Sequence, residues 1–200
     1  MALLRVALAI ALALFPLSAQ VLQTLDLSTR HGPKAFRRAF YVVLASRGGS
    51  STGHAFVVWG IEDGARKMSS MEALGLYPES DGANCATLIH SVSGSGRVMD
   101  EMANHSVQGI TYALIVKVDE RDFRRSRTVA REWDCRHQFS LLGRDCVEFL
   151  RAVGVSLHLK MPSRGLTRWT PQAYVRDLQE RATHGTLTSI RYSPIGSTAE

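Results

Sequence analysis

Three apolar runs stand ahead of the first helical period in this chain: "FYVVLAS" (40–46), "HAFVVWGIE" (54–62) and "GITYALIVKV" (109–118). Each is rich in the aromatic and β-branched residues that suit a pleated, buried surface, so each reads as a strand. The Gly/Ser turn "RGGSSTG" (47–53) separates the first two. Asp63-Gly64 is a hairpin signal, so "ARKMSSMEALGLY" (65–77) is expected to return antiparallel. "PESDGAN" (78–84) reads as loop, and "ATLIHSV" (86–92) as a short strand or irregular segment. Beyond 118 the period changes. Asp119 can cap a helix over about 120–133, with Phe123, Ala130 and Trp133 on one stripe. "HQFSLLGRD" (137–145) is loop, and a helix starts near Cys146 and runs to about 153. Thr170-Pro171 is an N-cap and N1 pair for a last helix, with Tyr174, Val175 and Leu178 facing inward. Strands first and helices second predict an α+β fold rather than a parallel βαβ one.

The first 20 residues, "MALLRVALAIALALFPLSAQ", have the charge, apolar run and small-residue site of a secretory signal, with cleavage expected after Ala19. The apolar run is short of the ~20 residues a membrane span needs, which weighs against a retained anchor. No later stretch is apolar enough to cross a bilayer. Residues 1–19 are therefore read as signal and 20–200 as one domain with its core at about 38–180. The expected product is periplasmic or secreted, and monomeric. The formal net charge of +6 gathers at "RHGPKAFRR" (30–38) and "RDFRRSRTVAR" (121–131). Such patches can favour anionic partners, but more often they are solvated faces, and no nucleic-acid-binding module accompanies them.

The chain holds three cysteines. An odd number in an exported protein leaves one thiol over, and a Cys85–Cys135 pair with Cys146 free is the most economical assignment. Cys146 stands where a helix begins, and the exposed N–H groups and dipole there favour a thiolate. A zinc site from Cys135, His137 and Cys146 lacks a fourth ligand and standard spacing. No motif calls for a cofactor. A thiol nucleophile needs a base, and histidine is the usual one. Of the seven histidines, His54 opens a core strand directly after a Gly-rich turn, where a rigid strand end can present a polar side chain to a cleft. His90 sits beside apolar residues and stays a second candidate.

"GHAFVVWG" early and "LLGRDCVEFL" far downstream resemble the circularly permuted branch of the papain-like NlpC/P60 superfamily. Its His-bearing strand precedes its Cys-bearing helix, an order shared by lecithin:retinol acyltransferase-like proteins. The likeness covers roughly residues 38–180, its specific part being two short motifs and the element order. It implies a permuted papain-like fold, an antiparallel sheet packed on helices, with Cys146 as nucleophile and His54 as general base. Related sequences often carry Asn-Cys where this one has Asp145-Cys146. Asp caps a helix as well as Asn, but its charge raises the thiol's pKa.

A third polar residue orienting the imidazole is expected on the neighbouring strand. A turn centred at Asp63-Gly64 places Met71 to Ala73 opposite His54, which makes Glu72 the first choice, with Ser70 and His90 as alternatives. The backbone N–H of Cys146 is the natural oxyanion donor, and Gln138 a second one. The expected activity is a cysteine hydrolase of the amidase or peptidase kind, acting on cell-wall peptide or another anionic envelope polymer. Its rivals are a non-catalytic binding or structural module on the same fold, and a lipid acyl hydrolase or acyltransferase.

Overall fold

The computed structural model describes residues 23–28, 38–48, 53–63, 68–79, 93–104, 109–136, 138–140, 143–165 and 168–187. A six-stranded sheet organises them. Its strands are β1 (Gln23–Asp26), β2 (Ala39–Arg47), β3 (His54–Glu62), β4 (Met68–Pro78), β6 (Gly96–Asp100) and β7 (Ile110–Val118), in the order β1-β7-β2-β3-β4-β6. Two short strands, β5 (Ser93–Gly94) and β8 (Phe139–Ser140), pair apart from it. A single turn, α1 (Glu101–Asn104), follows β6 directly, and three longer helices come later: α2 (Glu120–Asp134), α3 (Cys146–Ser156) and α4 (Pro171–Thr183). The α+β class holds. The sheet is mixed rather than wholly antiparallel, because β1 runs parallel to β7.

Alternation along the strands divides the sheet into two buried faces. On one, Val42, Leu44, Val57, Trp59, Leu114 and Val116 meet Phe123 of α2, Phe149 and Leu150 of α3, and Tyr174, Val175 and Leu178 of α4. The indole N–H of Trp59 donates to Ser126 Oγ at 2.8 Å, so the largest side chain of this core is also satisfied as a donor. The other face carries Tyr41, Val43, Phe56, Val58 and Ile115.

The helices begin where their caps dictate. Asp119 accepts from the N–H of Asp122, and Thr170 from that of Ala173 with Pro171 in the first turn. Asp145 accepts from the N–H groups of Val147 and Glu148, which makes Cys146 the first residue of α3. Such a cap contributes about 1 kcal/mol and fixes the direction in which the first side chain leaves the helix.

The β3–β4 hairpin departs from its expected register. Val57 pairs with Leu74, Trp59 with Glu72 and Ile61 with Ser70, and the register shifts at Glu62, which faces Met68. β3 ends at Glu62 and β4 begins at Met68, and residues 64–67, which hold the glycine of the expected turn, lie outside the described residues. Continued beyond Val57–Leu74, this register places Tyr77, rather than Met71 to Ala73, opposite His54.

Candidate active site

Gly53 has φ +71, a left-handed conformation that glycine adopts without strain, and a side chain there would collide with Gln172 of α4. This turn delivers His54 to the first position of β3, its side chain 13% exposed. Continuing the Val57–Leu74 register brings Tyr77 alongside, and the two rings stack with centroids 4.2 Å apart. Under the imidazole lies Gly75 of β4. A Cβ at that position would strike both His54 Nε2 and a carboxylate oxygen of Glu101.

Glu101 is the group that holds the ring. Its Oε1 is 2.9 Å from His54 Nε2 and accepts a 2.6 Å hydrogen bond from the Tyr77 hydroxyl. Arg47 lies 3.3 Å from the other oxygen and donates to the Tyr77 hydroxyl at 2.6 Å. The Glu101 side chain has no exposed surface. Burial alone would raise its pKa. The hydrogen bond and charge of His54, then Tyr77 and Arg47, outweigh burial and hold the carboxyl below its ordinary value. A carboxylate can only accept, so Nε2 must carry a proton. In the neutral ring the basic lone pair is then on Nδ1. Burial and the neighbouring Glu101 raise the Tyr77 phenol far above its ordinary value, so it remains a donor.

Cys146 comes from the helix layer. Helix α3 packs on β3 and β4, and its first residue brings a partly buried thiol to the backbone N–H of Ala55, the residue after His54. Burial and then the charge of Asp145 push the thiol up to about 12, against the pull of the Ala55 N–H, of Arg164 and of its own backbone N–H. This corrects the expectation of a thiolate at the helix start. Low dielectric and an adjacent anion outweigh the helix N-terminus, and the resting group is a thiol.

The other sequence candidates fall elsewhere. Glu72 pairs with Trp59 on the helix-covered face and forms an ion pair with Arg127 of α2 at 2.5 Å, so it does not meet His54. Ser70 is exposed opposite Ile61, and His90 lies outside the described residues. Gln138 is exposed, with its carbonyl lying over Gly96 of β6. Cys135 is an exposed thiol at the end of α2, and Cys85, its expected disulfide partner, lies outside the described residues. His137 also lies outside them, and no group of three metal-ligating side chains occurs among those described.

The basic run at 121–131 spends several charges internally. Arg124 pairs with Glu120, Arg127 with Glu72, and Arg125 lies 2.7 Å from His158 Nε2. Residues 30–37 of the basic run at 30–38, and the expected signal at 1–19, lie outside the described residues. No described helix is long and apolar enough to cross a membrane.

Glu101 and Tyr77 are the site residues that sequence reasoning missed. One signal was present: Gly75 interrupts the apolar run "EALGLY", and a glycine inside a strand marks close approach by another group. Comparison with family models, curated proteins and solved structures finds no match to this chain.

Proposed function

We propose that the protein is a cysteine hydrolase in which Cys146 is the nucleophile, His54 the general base and Glu101 the residue that orients the base. The observation that carries this reading is the fully buried Glu101 carboxylate on His54 Nε2, with Cys146 placed at the adjoining Ala55 N–H. The element order, a His-bearing strand before a Cys-bearing helix, supports a permuted papain-like arrangement.

With its resting pKa near 12, the thiol loses its proton during attack rather than before it. Sγ bonds to the substrate carbonyl carbon while the thiol proton passes to the imidazole. The imidazolium returns that proton to the leaving amine as the C–N bond breaks. Water then attacks the thioester, again through His54, releasing the acid and restoring the thiol. Glu101 stabilises the imidazolium in both halves, and the Cys146 N–H is the donor proposed for the oxyanion. The substrate class that fits the export signal and basic charge is a peptide amide of the cell wall, with a lipid acyl bond as the rival. The raised thiol pKa favours a second reading, a non-catalytic module in which Cys146 only packs.

Hydrolysis of cell-wall peptides and acyl esters by the mature protein tests both. Cys146→Ser is expected to abolish turnover, and His54→Ala to lower it by ~10²–10⁴. Equal cleavage by wild type and Cys146→Ser would remove the thiol from the mechanism, and a folded wild type inert on every substrate favours the module.

A further inference from the structure

The N-cap of α3 divides its carboxylate between two tasks. Asp145 Oδ1 accepts from the N–H groups of Val147 and Glu148 at 3.0 and 3.1 Å, which starts the helix. Its Oδ2 is held by Nη1 of Arg164, a residue of the segment that follows α3. Both side chains are nearly enclosed, with 5% of Asp145 and 12% of Arg164 exposed. Arg164 is itself fixed from behind: Nη2 donates to the Trp169 carbonyl at 3.0 Å, and the guanidinium lies 4.4 Å from the centre of the Trp169 ring. Three separate contacts thus hold one cation against the anion next to Cys146.

We infer that Arg164 is a positioning residue for the Cys146 thiol, acting through Asp145: it fixes the helix cap and cancels the cap's charge beside the sulfur. Asp caps as well as Asn does, but it places a negative charge where a thiolate must form. An arginine fork that pairs with the carboxylate and stacks on an aromatic ring keeps the cap while removing most of that penalty. The groups facing the thiol are consistent with this. Tyr77 of β4 stays neutral, the Ala55 N–H comes from β3, and His54, the proposed base, is tied to Glu101, which Arg47 also meets. Asp145 disfavours the thiolate and Arg164 favours it. Arg164 is thus the cation that answers Asp145.

The inference rests on Cys146 being the reactive group, and its test needs no substrate, so failure to find an amidase substrate leaves it intact. Iodoacetamide alkylation of the full chain is followed on the Cys146 peptide by mass spectrometry across pH 7–10, which separates it from exposed Cys135. Arg164→Ala is expected to slow Cys146 by about threefold to tenfold at each pH, the effect of raising a thiol pKa by about 0.5–1. Arg164→Lys keeps the charge and recovers part of the loss. In an Asp145→Asn background, where the cap is retained but the charge that holds Arg164 beside it is gone, Arg164→Ala should slow Cys146 less than it does beside Asp145. A merely structural role would loosen the helix start and speed alkylation at every pH. Unchanged or faster alkylation in Arg164→Ala overturns the inference. So does a Lys variant as slow as Ala, or equal slowing in the Asn background.

Discussion

Glu101 Oε1 lies 2.9 Å from His54 Nε2, although 47 residues separate them in the chain. Two strand pairings close that gap. β3 pairs with β4, β4 with β6, and Glu101 is the first residue past β6. Gly75, opposite Met99 on β6, leaves the space in which imidazole and carboxylate meet.

Glu101→Gln keeps the shape of that contact and removes the charge that stabilises the imidazolium. The expected loss in turnover is ~10²–10⁴, comparable to losing a general base. Glu101→Ala is also expected to destabilise the fold by about 3–5 kcal/mol, because it strands the nearly enclosed Arg47 and His54. Steady-state kinetics and denaturant melts of the two variants read the two effects separately. A Gln variant with wild-type turnover removes Glu101 from the mechanism.

Acid should weaken the same contact. The carboxyl of Glu101 is lowered in the fold from an ordinary 4.5. As pH falls, the unfolded chain takes up the proton first, so this contribution is fully present above 4.5 and is lost as pH drops through the lower folded value. Glu101→Gln has no such proton to bind. The stability advantage of wild type over Gln should therefore shrink between about pH 6 and about pH 3, read from urea melts at the two values. An advantage that stays constant or grows on acidification contradicts the assignment.

Gly75→Ala adds one methyl group where His54 and Glu101 already touch. The backbone at Gly75 is ordinary, so the penalty is overpacking alone, about 1–3 kcal/mol. Displacing the imidazole from the carboxylate should lower turnover well beyond the stability loss. A variant that is destabilised yet fully active would show that the His54–Glu101 contact is dispensable.

Glu72→Gln is the contrasting case. Its ion pair with Arg127 is about one-third exposed on both sides, and pairs of that kind contribute at most about 1 kcal/mol. Turnover should stay within about twofold of wild type and stability within about 1 kcal/mol. A large loss of turnover would return Glu72 to the site.

What the sequence determined by itself was local. Strands and helices followed from apolar runs, caps and turns: Asp119, Asp145 and Thr170 start their helices as their side chains dictate, and Gly53 precedes β3. These features depend on residues within one turn of each other, so they can be read along the chain. The same reading brought forward Cys146, at a helix start, and His54, at a strand start. Register and partners were decided only in three dimensions. The register of β4 on β3 took Glu72 to Arg127 and brought Tyr77 beside His54. Glu101 reached the imidazole through a further strand, and Arg164 reached Asp145 from beyond the helix that Asp145 caps. The sign of the thiol's pKa shift was decided there as well. A helix N-terminus is visible in the sequence, whereas burial and the net charge around a sulfur exist only once the chain has packed.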